Sequence, residues 1–288
     1  MTIRKAVLPV AGLGTRVLPA TKAIPKEMLP VVDRPAIQYV VAEALEAGIE
    51  HIVFVTGRNK NAIEDYFDRA YELETTLVQK NKTNILEMLE ADLPEPGAMS
   101  YVRQQAPLGL GHAVWCARDV IGNEPFAVLL PDMLMAGKPG CLAQVIAAYD
   151  QVGGNVLAVE PTAWESVSQY GVIAPGARQG AVIEMLGMVE KPARDAAPSN
   201  LFISGRYVLQ PEIFDLLADQ RAGAGGEIQL TDAMLRLMQF GPFHAVEFDG
   251  RSYDCGSKAG YLEAILAFAL ARDDLADDVR AAARRLGL

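Results

Sequence analysis

Strand-like and helix-like segments alternate through the first 160 residues, and this alternation restricts the possible folds more than any other feature of the chain. Lys5–Val10 is a short apolar run that stops at a glycine-rich turn, as a buried strand does. Ile37, Val40, Val41, Ala44 and Leu45 then recur at helical spacing, with Gly48 placed to end the helix. His51–Val55 reads as a second strand. The order continues with Met99–Arg103 as strand, Gly111–Val120 as helix, Phe126–Leu130 as strand, Cys141–Tyr149 as helix and Asn155–Val159 as strand. Strands separated by helices cannot pair as hairpins. The pattern therefore predicts an α/β fold with a Rossmann-like mixed, mainly parallel sheet flanked by helices.

After about residue 165 the pattern changes. Gly171–Ala174, Ala181–Val189 and Asn200–Leu209 read as strands with little helix between them, so antiparallel additions are expected in the second half. Helices return at Pro211–Leu217 and Leu230–Met238, two more follow from Lys258, and residues 71–92 read as a helical insertion. No repeat or linker divides the chain. The expectation is a single domain over 1–288, made of an N-terminal half (1–160), a second half (161–257) and closing helices (258–288).

A net charge of −10 excludes a general nucleic-acid binder, which needs a basic footprint. It also means that an anion site must be built locally, from a few cations and backbone N–H groups. Cys116, Cys141 and Cys255 form no CxxC pair, and their odd number fits a reducing compartment. The N-terminus is a poor signal peptide, and the most apolar segment, 261–270, is too short to span a bilayer. A cytoplasmic chain with no membrane association is expected.

Such an anion site is visible directly after the first strand. Gly12-Leu13-Gly14-Thr15-Arg16 is followed by Pro25-Lys26-Glu27-Met28-Leu29-Pro30. Glycine permits close backbone approach to phosphate oxygens, Arg16 can fork across them, and Lys26 supplies a compact charge. Prolines at 19, 25 and 30 stiffen the segment that carries Lys26. The loop is not a Walker A motif, and the third glycine of a dinucleotide fingerprint is replaced by Val17.

The segment GLGTRVLPATKAIPKEMLPVVDRPAIQYV, with QAPLGLGHAV, FAVLLPD, YGVIAP, VEKP, GRYVL, GEIQLTDAM and YDCGSKAGYL in that order, resembles the bacterial UTP–glucose-1-phosphate uridylyltransferases of the sugar nucleotidyltransferase family. The resemblance covers nearly the whole chain. It implies transfer of a uridylyl group from UTP to glucose 1-phosphate with Mg²⁺, in a homodimer or homotetramer. On this resemblance 1–160 holds the nucleotide and 161–257 the sugar. Ala11, Gly12, Gly14 and Thr15 line the nucleotide, and Arg16 and Lys26 hold its phosphates. Gln104 and Gly109 face the base; the neighbouring Gln105 is the other register.

Asp132 follows an apolar strand, where a hard cation finds a carboxylate beside substrate phosphates. The turn Asp254-Cys255-Gly256 matches the family's second metal carboxylate. Met133 departs from the acidic residue that many relatives carry, so no metal role falls to it. The resemblance implies that Lys191 neutralises the sugar phosphate, that Glu190 accepts from sugar hydroxyls, and that Gly171 lets the ring approach the backbone. His112 is expected to be structural. The competing readings are a relative using dTTP or another sugar 1-phosphate, and a catalytically silent regulator that binds sugar nucleotides.

Overall fold

The computed structural model of the chain describes residues 2–223 and 226–287. In chain order its strands are β1 (Lys5–Pro9), β2 (Pro30–Val31), β3 (Arg34–Pro35), β4 (His51–Thr56), β5 (Met99–Arg103), β6 (Phe126–Leu129) and β7 (Met133–Ala136). They continue with β8 (Asn155–Pro161), β9 (Gly171–Gln179), β10 (Val182–Glu190), β11 (Leu201–Leu209), β12 (Phe243–Glu247) and β13 (Arg251–Asp254). Nine of these form one sheet in the order β5-β4-β1-β6-β11-β8-β12-β10-β9, so both halves of the chain share it.

The sheet is mixed, as expected, but it is not mainly parallel. Pairings β1–β4, β1–β6, β4–β5 and β8–β12 are parallel, whereas β6–β11, β8–β11, β9–β10, β10–β12 and the short β9–β11 contact are antiparallel. A short connection explains one of these pairings. Residues 180–181 alone join β9 to β10, and residues 191–200 join β10 to β11. The two-residue link forces β9 and β10, which pair, to run antiparallel, because a parallel neighbour requires a crossover of about a dozen or more residues; β10 and β11 do not pair. The antiparallel strands are also not confined to an edge, because β11 lies between β6 and β8.

Alternate residues of each central strand enter opposite cores. Ala6, Leu8, Ile52, Phe54, Ala127 and Leu129 face one cluster, while Val7, Val53, Val55, Phe126 and Val128 face the other. All are essentially buried, as strands covered on both faces must be. The first core is closed by helix Ala36–Glu46, through Ile37, Val40, Val41 and Ala44, and by helix Cys141–Val152. Helices Leu110–Cys116, Ile213–Ala218 and Leu230–Leu237 close the second. Gly48 takes φ +90° just past the first helix, the left-handed conformation that turns the following N–H, of Ile49, back to the Ala44 carbonyl.

Two expected elements are divided. Residues 111–120 form helices Leu110–Cys116 and Arg118–Ile121, and the insertion forms Tyr71–Gln79 and Thr83–Ala91. Strand β12 and the small ladder of β7 with β13 do not follow from the sequence pattern. That ladder matters most for the site: it pairs Met133 with Asp254, and Cys255 N–H donates to the Asp132 carbonyl at 2.8 Å. Two carboxylates more than a hundred residues apart in sequence become neighbours. No helix among the described residues is long and apolar enough to cross a membrane.

Candidate active site

Parallel neighbours β1 and β6 end at the same edge of the sheet, and their following loops carry the first cluster. After β1 the chain turns at Gly14, whose φ of +67° and tight surroundings (a side chain there would lie 3.1 Å from Lys26 Cβ) favour glycine. Thr15 opens the short helix Thr15–Val17, which carries Arg16. Ala11 is buried behind the loop, and Gly12 lies exposed beside the Lys26 side chain. Another short helix, Lys26–Met28, starts after Pro25 and sends successive side chains opposite ways. Lys26 Nζ reaches Asp132 Oδ2 at 2.6 Å, while Glu27 is buried against Lys60 Nζ at 2.8 Å.

Arg16 spans both carboxylates, with Nη2 at 3.7 Å from Asp132 Oδ2 and Nη1 at 3.3 Å from Asp254 Oδ2. Four residues expected from sequence, Arg16, Lys26, Asp132 and Asp254, are therefore in one place. Burial by itself would push the Asp132 carboxyl up, but Lys26 and Arg16 beside it outweigh this and hold it below the usual carboxylate range. Burial likewise opposes the charge on Lys26, and Asp132 and Glu27 overcome it and raise its pKa. Asp254 is pushed up, by burial first, with Arg16 pulling it down and Asp132 adding repulsion. Two carboxylates held around one guanidinium match the one or two that Mg²⁺ takes from a protein when phosphate and water complete its shell. The residues fit that ion.

Gly256 is a site residue that the sequence reading passes over, although the Asp-x-Gly turn is its signal. Its N–H donates to Asp254 Oδ1 at 2.8 Å. A Cβ built on it would lie 2.3 Å from Arg16 Nη2, 2.8 Å from Asp254 Oδ1 and 2.9 Å from Asp132 Oδ2. Gly256→Ala is expected to push these charges apart and lower turnover by about 10²-fold, the scale of an ångström-sized misplacement. Initial rates on a variant with unchanged thermal unfolding check this. Arg206 is passed over as well. It is fully buried behind the Asp132 turn and donates to the Leu130 and Met133 carbonyls at 3.1 and 2.8 Å while paired with Glu43.

A second cluster lies at the same edge. Leu201 of β11 pairs with Pro161 at the end of β8, and Phe202 pairs with Val172, which brings the start of β9 and the end of β10 there. Gly171 and Glu190 are register partners. A side chain at Gly171 would meet Glu190 Oε2 at 3.1 Å and Thr231 Oγ1 at 3.5 Å. Thr231 donates its hydroxyl to Glu190 Oε2 at 2.7 Å, which fixes that carboxylate. Lys191 leaves the strand with φ +47°, a strained conformation for a side chain of its kind, and its Nζ stays 3.5 Å from Glu190 Oε1. Tyr170 joins the clusters: its carbonyl accepts from Lys191 N–H, and its phenol, raised first by burial, also feels Asp254 and Arg16.

The third group is Gln104, Gly109 and His112. Gln104 is buried and Gln105 exposed. Gly109 adopts φ +114° against Ile228, whose backbone oxygen would lie 2.7 Å from a Cβ there.

A family model described as nucleotidyl transferase matches residues 5–269. The chain is 48% identical over 279 residues to UTP–glucose-1-phosphate uridylyltransferase of Bacillus subtilis (strain 168), covering 96% of this chain and 94% of that one. Among solved structures it is similar to a UTP-bound UGPase from Acinetobacter baumannii, with TM-score 0.90 and 48% identity over 97% of this chain and 98% of that one. It is also similar to a UDP-glucose pyrophosphorylase complexed with UDP-glucose, with TM-score 0.86 and 46% identity over 94% of this chain and all of the other.

Proposed function

The chain belongs to the nucleotidyl transferase family, and from that premise we propose that it joins UTP to glucose 1-phosphate, giving UDP-glucose and pyrophosphate. The observation that carries this reading is the convergence of Arg16, Lys26, Asp132 and Asp254 beside the Tyr170–Lys191 segment. Two cations sit against one pair of carboxylates, and Tyr170, which feels Asp254 and Arg16, is hydrogen-bonded to the residue that carries a third. We read the whole chain as one domain, its first half holding the nucleotide and its second the sugar.

The chemistry asks little of a protein nucleophile, because the sugar phosphate is already ionised at neutral pH. One of its oxygens attacks the α-phosphorus in line, and the bond to pyrophosphate breaks. Positioning and charge neutralisation supply the catalysis. Two unit charges about 5 Å apart at an effective dielectric of about 20 repel by roughly 3 kcal/mol, and several such pairs form when the two esters meet. Arg16 and Lys26 offset the charge on the triphosphate and on the departing pyrophosphate. Lys191 aims the attacking phosphate, Glu190 accepts from sugar hydroxyls, and Gly171 leaves room for the ring. Gln104 and Gly109 face the base. Asp132 and Asp254 would hold Mg²⁺, which supplies further neutralisation of phosphate charge when bound.

Pyrophosphate release on mixing the protein with UTP, glucose 1-phosphate and Mg²⁺ tests the assignment. Release from dTTP or another sugar 1-phosphate at equal efficiency would move it to a related reaction. Lys191→Ala is expected to lower kcat by on the order of 10², the loss of one preorganised charge-stabilising group. Single-turnover rates measure it, and wild-type turnover in a folded variant excludes the role.

A homodimer or homotetramer is part of the same reading. Leu262, Leu266 and Leu270 recur every fourth residue on helix Lys258–Leu270, and all are exposed, as a helix covered by a second copy of the chain would show. Light scattering is expected to give a mass of two or four chains.

A further inference from the structure

Gln104 follows β5, and its side chain is turned inward, where two groups compete for its amide nitrogen. Nε2 lies 3.1 Å from the Gly109 carbonyl oxygen and 3.0 Å from His112 Nδ1. A carbonyl oxygen only accepts, so it dictates that the nitrogen end of the amide faces it. The second amide hydrogen then points at His112 Nδ1, which must present a lone pair. The ring proton therefore sits on Nε2.

His112 cannot drift from this contact, because the start of its helix is pinned. Gly111 N–H donates to the Ile228 carbonyl at 2.8 Å, and Ile228 N–H donates to the Leu108 carbonyl at 2.7 Å. Burial lowers the pKa of the imidazole and so favours the neutral ring that this arrangement requires. Trp115 lies nearly parallel to it, 6.0 Å away, on the same helix.

Both hydrogens of the Gln104 amide are thus engaged by the chain, while its Oε1 receives no donor from the described residues. We propose that His112 is a specificity-determining positioning residue. It holds Gln104 as an acceptor only, the partner suited to the imide N–H of uracil and opposed to the bare ring nitrogen that cytosine carries at the same position. This rests on the reading of Gln104 as the residue that faces the base. Without the imidazole, one amide hydrogen is free, and reversing the amide to donate to cytosine costs one hydrogen bond rather than two.

The test compares kcat/KM for UTP and CTP in wild type, His112→Phe, His112→Asn and Gln104→Leu. His112→Phe is expected to lower the UTP:CTP preference roughly 3- to 10-fold, the worth of one hydrogen bond, with KM for glucose 1-phosphate unchanged. His112→Asn, whose side-chain oxygen can accept near the Nδ1 position, is expected to restore most of the preference. An unchanged ratio in His112→Phe beside a collapsed ratio in Gln104→Leu overturns the role of His112 and leaves Gln104 as the base reader. Unchanged ratios in both variants remove the reading of Gln104 and this inference with it. A measurement on the wild-type protein needs no variant to fold. Imidazole nitrogen NMR is expected to show His112 protonated at Nε2 and bare at Nδ1, and the opposite tautomer overturns the proposal.

Discussion

Asp132→Asn is expected to lower kcat/KM by on the order of 10³ while the chain still folds. The amide keeps the shape of the carboxylate and an acceptor for Lys26, so the 2.6 Å contact survives in a weaker form. What is lost is charge, and it is lost twice. A neutral amide is a poor ligand for a hard divalent ion, and the Lewis-acid contribution of such an ion is several kcal/mol; about 4 kcal/mol corresponds to 10³ in rate. Asp132 is also the first of the two carboxylates that raise the Lys26 pKa against burial. With it neutral, burial favours the uncharged amine, which weakens the grip on the triphosphate. Initial rates across a Mg²⁺ titration, with circular dichroism as the control on folding, measure the effect. An unchanged titration midpoint and rate would exclude Asp132 as a ligand.

The phosphate loop is legible in the sequence because its residues are contiguous. Glycine turns, stiffening prolines and the cations Arg16 and Lys26 stand within Gly12–Pro30, and each has a local physical reason. Helix positions are legible for the same cause, since periodicity in 36–46 or 141–152 depends only on neighbours in sequence. The direction of strand pairing is not. Helical spacing in the first half suggests that its strands neighbour one another in parallel, whereas the place of β11 between β6 and β8 is decided by long-range packing. Asp254 stands out by its resemblance to a known turn, but what brings it to Asp132 is the β7–β13 ladder, two four-residue strands with no strong pattern of their own. Thr231 lies inside a matched segment that does not show its partner, because a hydroxyl on a helix has many uses until Glu190 is seen 2.7 Å away. His112 reads as structural from sequence. Its contact to Gln104 spans eight residues across a loop, and neither residue advertises the other.

Arg206 lies inside the matched segment GRYVL, but nothing in that segment shows its burial, since an arginine in a strand is ordinarily read as solvent-facing. Its guanidinium is nevertheless fully buried behind the site. Burial opposes that charge, and Glu43 more than compensates, leaving its pKa raised. Nε and Nη2 hold both oxygens of Glu43, Nη1 and Nη2 hold the Leu130 and Met133 carbonyls, and Glu43 Oε1 also accepts from Leu142 N–H. The turn bearing Asp132 is thereby tied to helix Ala36–Glu46, which carries Glu43, and to the start of helix Cys141–Val152. Arg206→Leu strands the Glu43 carboxylate and two carbonyls, and it is expected to destabilise the fold by about 3–5 kcal/mol, the cost of breaking a buried pair from one side. For a chain of this length that corresponds to a fall in Tm of roughly 5–8 °C. Glu43→Leu with Arg206→Leu removes both charges and is expected to recover part of this loss, because no ion is left uncompensated. Urea unfolding of the two single variants and the double variant gives the coupling directly. If the double variant is destabilised by the sum of the singles, the pair contributes nothing as a pair, and the bracing of Asp132 rests on the carbonyl contacts alone.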